Sequence, residues 1–295
     1  MNCPTCQSTV LGSSPDGTLL CRACGFRFAK NLPSGPGEAR QAVETTSGPR
    51  GDAGEPDGPP EIAGHQILQR LGKRGVSEVY LALQENLQRK VVLKVLAHDV
   101  SGDQDLVDRF DSAIHAAAQF EHPSIVWILS RGRTVDGRLY FSMEHVDGQS
   151  LRTAVDESLF DVPERIRIVL EVVETLAQAH SRGFFHGDLR PENVLVKKIS
   201  TKLQVKILDF VLAAVLREFE GRFRHRRGGS LLGEPHYRAP EQRWNVLLVS
   251  PQTEVYSLGI VFYELLVGST PAGLARPPGQ LNPEVPAAVD RVIAR

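Results

Sequence analysis

An interruption constrains this chain more than any other feature. Residues 31–60 hold six Pro and six Gly among thirty positions, with Leu32 and Val43 the only larger aliphatics. Such a stretch cannot bury enough apolar surface to offset the entropy lost on ordering it. It reads as a disordered Pro/Gly-rich linker, in which Glu38, Glu44, Asp52, Glu55 and Asp57 outnumber Arg40 and Arg50. Two parts remain to fold, residues 1–30 and residues 61–295, and a length of 295 residues suits that division. A hydrophobic content of 41% with a net charge of −1 excludes a wholly disordered chain. The same charge gives no general attraction to nucleic acid or to an anionic membrane surface. The best candidate for a membrane span, Val255–Val267, is 13 residues long and contains Glu264, so no transmembrane segment is expected. No basic region followed by an apolar core opens the chain, and a cytoplasmic location is expected.

All four cysteines fall in the first 24 residues, as Cys3-Pro-Thr-Cys6 and, after fourteen residues, Cys21-Arg-Ala-Cys24. Each Cys-x-x-Cys pair can bend into a knuckle with both sulfurs on one side, and two knuckles complete a tetrahedral four-thiolate zinc shell. The intervening segment has a hairpin's length, with Ser13-Ser14-Pro15-Asp16-Gly17 as its turn signal. Thirty residues cannot fold on an apolar core alone, so bound metal would supply the folding free energy. A redox dithiol and a pair of disulfides are the alternatives. The first normally sits in a βαβ context, and the second needs an oxidising compartment. The motif resembles zinc ribbons, and protein contact is its expected job, because only Arg22, Arg27 and Lys30 are basic. Phe26 and Phe28 flank Arg27 in a short strand-like alternation.

The main domain begins with strand patterns and continues with helical ones. Strands are predicted over 66–71, 76–83, 90–96, 125–130 and 138–144. Helices are predicted over 103–119, 163–182 and 254–267. The second helix carries Ile166, Val169, Leu170, Val173, Leu176 and Ala177 at helical spacing, with Pro163 in its first turn. The third carries Val255, Leu258, Phe262 and Leu265. All of these stripes are expected to face the core.

The segment His186-Gly-Asp-Leu-Arg-Pro-Glu-Asn193 resembles the catalytic loop of eukaryotic-like (bacterial-type) serine/threonine protein kinases. Its flanks agree in order. Upstream stand Leu71-Gly-Lys-Arg-Gly-Val-Ser-Glu-Val-Tyr80 and Val91-Val-Leu-Lys94. Downstream stand Leu208-Asp-Phe-Val211, Tyr237-Arg-Ala-Pro-Glu241 and Val255-Tyr-Ser-Leu-Gly259. The resemblance implies an α+β, bilobal protein-kinase-like fold: a β-rich N-lobe (61–146) and a helical C-lobe (147–295) whose end is truncated, preceded by the small zinc ribbon. It also implies Mg·ATP as cofactor and a protein substrate or signalling partner. Phosphoryl transfer depends on positioning and charge neutralisation. By resemblance, Lys94 holds the α- and β-phosphates, Asp188 accepts the substrate hydroxyl proton, and Arg190 adds charge beside it. Asn193 and Asp209 are the Mg²⁺ ligands. Gly72 and Gly75 belong to the phosphate-covering loop, and Val79 and Val92 cover the adenine. Met143 backs the pocket, Glu144, His145 and Val146 form the hinge, and Leu195 is the floor.

Seven positions depart from the active pattern. In the glycine-rich loop Arg74 and Ser77 replace glycines. Ala113 stands where a glutamate normally pairs with the lysine, so Lys94 is expected to lack its usual orienting partner. Gly187 replaces the loop arginine, and Arg190 a lysine. Val211 replaces the glycine after Asp209-Phe210, and Glu234 stands where a threonine is usual. Arg217, Arg222, Arg224, Arg226 and Arg227 crowd the segment between. Glu241 normally pairs with an arginine beyond Arg295. Three functions fit: a serine/threonine kinase of weak activity, a nucleotide-binding pseudokinase that serves as a scaffold, or a zinc-ribbon interaction protein whose second domain only docks.

Overall fold

The computed structural model describes residues 11–13, 18–21, 27–29 and 58–295, apart from 75, 211–214, 216–234, 246 and 295. Two units separate along the chain, 1–57 and 58–295. In the first, β1 (Leu11–Ser13), β2 (Thr18–Cys21) and β3 (Arg27–Ala29) form an antiparallel sheet in the order β1-β2-β3. Leu11 pairs with Cys21, and Leu19 with Phe28. The strand predicted around Arg27 is therefore present. Cys3, Cys6, Cys24 and linker residues 31–57 lie outside the described residues.

Alternation builds the second unit's larger sheet. β4 (His65–Arg74), β5 (Ser77–Gln84), β6 (Arg89–Leu96), β7 (Ile128–Arg133) and β8 (Leu139–Glu144) pair antiparallel in the order β4-β5-β6-β8-β7. Successive side chains of a strand point to opposite faces. On β6, Val91, Leu93 and Val95 join Ile62, Tyr80 and Ala82 on one face. Val92 and Leu96 point the other way, toward a cluster with Phe110, Ile114, Phe141 and Met143. Lys94 shares that second face by parity. The short α1 (His98–Ser101) leads into α2 (Gln104–Ala118), which the Asp103 side chain caps by accepting from Leu106 N–H. α2 buries Leu106, Val107, Phe110 and Ile114 against the sheet.

A mainly helical lobe follows. It contains β9 (Gln149–Ser150), α3 (Leu151–Asp156), α4 (Val162–Ser181), the hairpin β10 (Val194–Ile199) and β11 (Lys202–Ile207), α5 (Pro251–Val267), α6 (Pro278–Leu281) and α7 (Ala287–Ile293). The bilobal, β-then-α layout matches the expected α+β class. Capping boxes start α4 (Asp161 with Glu164) and α5 (Ser250 with Thr253). Gly268, at φ 87°, ends α5 in the left-handed conformation.

Two helical stripes need correction. On α4 the buried face is Ile168, Val169, Val172, Thr175, Leu176 and Ala179. Leu170, Val173 and Ala177 are exposed instead. The face has turned toward a polar position, which is possible because the Thr175 hydroxyl donates to the Glu171 carbonyl at 2.7 Å and so enters the core satisfied. On α5, Val255 is exposed while Leu258, Phe262 and Leu265 are buried. No helix among the described residues is long and apolar enough to cross a membrane.

Candidate active site

Cross-strand register gathers the first site residues. Gly72 pairs with Val79, and Val79 with Lys94, so one row runs across three strands. A β-carbon on Gly72 would meet nothing within 4 Å, so space lies open above this row. The Lys94 ammonium is buried and donates to Asp209 Oδ2 at 2.7 Å. The helix glutamate is absent, and Asp209 is the carboxylate that Lys94 meets. Ala113 packs against the apolar cluster of α2, and Asp111 pairs with Arg131. Asp209 itself holds a left-handed backbone, φ 59°, which an aspartate tolerates better than most residues.

The loop 186–193 sits beside this pair. His186 is fully buried. Its Nδ1 accepts from Asp188 N–H at 3.1 Å, so the hydrogen lies on Nε2, which donates to the Leu208 carbonyl at 2.8 Å. Its ring meets Phe210 edge-on at 5.1 Å. The Asn193 amide nitrogen donates to the Asp188 carbonyl at 2.8 Å and lies 3.4 Å from its Oδ2. Leu208 N–H donates to the Asn193 carbonyl at 2.8 Å, tying the strand before Asp209 to the loop. Arg190 Nε stands 3.5 Å from Asp188 and 3.8 Å from Glu192. Lys94, Asp209, Asn193, Asp188 and Arg190 are therefore brought into one neighbourhood.

At the other end, Met143 is buried, and Val92 and Val146 pack against the same cluster. Leu195, half-buried, pairs with Ser150 and Lys206. The Glu144 carboxylate turns to Lys206 at 2.6 Å and to Trp127 N–H at 3.1 Å. A small apolar hollow lined by Ile114, Phe120, Phe141, Met143, Phe184 and Phe210 has Asp209 in its wall. It shares Met143 with the expected purine contacts, but Val79, Val92, Val146 and Leu195 do not line it. Val215, past Phe210, is buried in the cluster of Phe110, Ile114 and Met143. Gly75, Val211, Glu234 and the arginines at 217, 222, 224, 226 and 227 lie outside the described residues, as does the Arg74 side chain.

Two networks behind the loop are absent from the sequence expectation. Glu254 is 2% exposed; one of its oxygens accepts from Gly187 N–H and the other bonds His180 Nε2, both at 2.6 Å. Gly187 has φ 78°, a conformation glycine adopts without steric cost. Its place before Asp188 makes this the loop's anchor. Second, Arg152 donates to Glu192 (2.8 Å), Glu264 (2.6 Å) and the Tyr237 hydroxyl (2.5 Å), while that hydroxyl donates to Glu264 at 2.6 Å. Burial pushes the Tyr237 hydroxyl's pKa up, and its bond to Glu264 adds to the rise. For Glu192, burial works upward, but the Arg152 hydrogen bond and charge hold the carboxyl below its ordinary range. The only forward signal for these was the placement of Glu192 and Tyr237 inside recognised motifs.

Among the described residues no cluster of three or more His, Cys, Asp or Glu could hold a metal by itself. The Asp209 carboxylate and the Asn193 amide oxygen are nevertheless hard oxygen donors of the kind Mg²⁺ prefers, and Mg²⁺ completes its shell with phosphate and water. The residues present fit a metal that arrives with a nucleotide.

Relatives agree with this geometry. The protein kinase domain family matches residues 65–281. Serine/threonine-protein kinase pkn3 of Myxococcus xanthus is 33% identical over 209 residues, covering 70% of this chain and 38% of that protein. PrkC of Bacillus subtilis, also a serine/threonine-protein kinase, is 31% identical over 246 residues, covering 78% and 37%. This chain thus spans well under half the length of these two curated relatives. The crystal structure of the Mycobacterium tuberculosis PknI kinase domain superposes with a TM-score of 0.60 at 27% identity, covering 79% of this chain and 87% of that one. A match over most of the second unit, on a scaffold that assembles the lysine, the loop and the aspartate together, makes this chain a member of the protein kinase family.

Proposed function

We propose that the chain binds Mg·ATP and transfers the γ-phosphoryl group to serine or threonine hydroxyls of protein substrates, at a low rate. The observation that carries this reading is the meeting of Lys94 and Asp209 at 2.7 Å beside the Asp188–Asn193 loop. Bound Mg²⁺ supplies neutralisation of phosphate charge, and Asn193 and Asp209 would hold it. Lys94 orients the α- and β-phosphates. Asp188, two residues from the buried His186, takes the proton of the acceptor hydroxyl, and Arg190 adds positive charge beside it. Gly72 and Gly75 let the covering loop approach the phosphates, while Val79, Val92, Met143, Val146 and Leu195 enclose the base with the backbone of Glu144.

A second reading is a nucleotide-binding pseudokinase that serves as a signalling scaffold. It is favoured by Ala113 facing an apolar cluster and by Val215 buried beside α2. Labelled ATP with a generic Ser/Thr substrate separates the two. Wild type should label the substrate and Asp188→Asn should not; equal labelling by both proteins dismisses the enzyme. For residues 1–30 we propose a zinc ribbon ligated by Cys3, Cys6, Cys21 and Cys24, joined by the 31–60 linker to the kinase-like domain and used for protein contact. The Cys-x-x-Cys spacing and the three-stranded order β1-β2-β3 support it. Metal analysis should find about one zinc per chain, lost in Cys21→Ser/Cys24→Ser; equal zinc in both proteins refutes it.

A further inference from the structure

Lys206 is a buried cation outside the loop and lysine described above. Burying an ammonium is costly unless its charge and hydrogen-bonding capacity are met. Here Nζ donates to Glu144 Oε1 at 2.6 Å, reaches the Ile125 carbonyl at 3.4 Å, and stands 5.3 Å from the centre of the Trp127 ring. Its partners belong to different parts of the fold. Lys206 is on β11 of the helical lobe, whereas Glu144 ends β8 of the sheet. Trp127 and Glu144 are also locked to each other. Glu144 N–H donates to the Trp127 carbonyl at 3.0 Å, and Trp127 N–H donates to Glu144 Oε1 at 3.1 Å. The backbone beside Lys206 joins in: Ile207 N–H donates to the Ser124 carbonyl at 2.8 Å, and Val126 N–H to the Ile207 carbonyl at 3.0 Å. The amide and carboxylate of Glu144 are thus both fixed, so the course of the backbone that would meet the base is set at this residue.

We propose that Lys206 is a positioning residue for nucleobase recognition. By clamping Glu144 from behind, with Trp127 as the lid over the ion pair, it sets where the hinge backbone meets the base edge. This inference rests on the Mg·ATP reading above. Its mark is selectivity: the clamp bears on the base and not on the phosphates.

The test uses the full chain and two probes, Mg·ATP and base-free Mg·tripolyphosphate, each competed against a fluorescent ATP analogue. Lys206→Met should weaken Mg·ATP about tenfold, or 1.4 kcal/mol, with tripolyphosphate unchanged. Lys206→Arg, which keeps a charge-assisted bond, should stay within about threefold of wild type. Glu144→Gln removes the same ion pair from the other side and should reproduce the methionine result, which guards against one variant failing to fold. Unchanged Mg·ATP affinity in Lys206→Met, or equal weakening of both probes, overturns the proposal. A wild-type chain that binds no Mg·ATP overturns the nucleotide reading itself, and this inference with it.

Discussion

Glu254 offers the sharpest test of what holds the 186–193 loop. Its carboxylate is buried, and its two oxygens are divided between Gly187 N–H and His180, each at 2.6 Å. Replacing it with alanine removes the acceptor from both donors and opens a void. A hydrogen bond to a charged group contributes about 1.5–3 kcal/mol, and truncating one partner of a buried pair costs about 3–5 kcal/mol. Glu254→Ala should therefore lose about 4 kcal/mol of unfolding free energy. Glu254→Gln keeps an acceptor for Gly187 but offers an N–H where His180 met an oxygen, so about 1–2 kcal/mol should go. Gly187→Ala adds a second limb. Its left-handed backbone at φ 78° makes a β-carbon cost roughly 1–2 kcal/mol. Guanidinium unfolding of the full chain gives the stabilities, and labelled-ATP transfer gives the consequence at Asp188, where loosening should cost about a hundredfold. The reasoning is refuted if Glu254→Ala lies within about 0.5 kcal/mol of wild type, or if the glutamine variant is the less stable of the two.

The Arg152 network should show itself in acid. Glu192 is held below its ordinary value of 4.5, so its contribution is fully present above that value and is lost as pH falls through the lower, folded one. Wild type should therefore lose stability on acidification through that window, and Arg152→Met should flatten the loss; parallel pH–stability curves for the two proteins would contradict the assignment. Ala113→Glu returns an acid to α2. It should raise phosphoryl transfer several-fold by giving Lys94 a partner other than Asp209, and lower thermal stability, since residue 113 packs against an apolar cluster. Unchanged transfer with lowered stability would show that the missing ion pair does not limit the rate.

Local signals made much of this fold legible. The alternation on β6 fixes which residues share a face with Lys94, and Pro163 marked the first turn of a helix that the structure begins at Val162. The 186–193 motif supplied the loop. Less visible was the β10–β11 hairpin, although Val194 and Val196 alternate with partly exposed residues and Ser200 makes its turn at φ 56°. The α4 face was misread because spacing alone counts apolar residues, whereas burial also admits a threonine that satisfies its own hydroxyl. The clamps were beyond local reading altogether. Lys206–Glu144 and Arg152–Glu264 join residues 62 and 112 positions apart. No periodicity encodes such pairs; only the packed fold brings them together.

Several departures from the active kinase pattern converge on one ammonium. Lys94 is buried, and a buried ammonium requires a counter-charge. Ala113 supplies none, and Asp111 is engaged with Arg131. Asp209 provides it from the opposite lobe, at 2.7 Å. The apolar inner face that Ala113 leaves on α2 is the same cluster in which Val215 is buried. One substitution on a helix thus bears on two things at once: the lysine's partner and the seat of the segment that follows Asp209. Under the kinase reading, the group that should greet the metal is already paired with the group that should greet the phosphates. Asp209 would hold Mg²⁺ and Lys94 would hold phosphate, so a metal-bearing nucleotide would leave neither charge stranded. A metal-free nucleotide satisfies only Lys94 and leaves the Asp209 carboxylate facing added negative charge. Resting self-pairing therefore fits a site that would favour a metal-bearing nucleotide over a metal-free one.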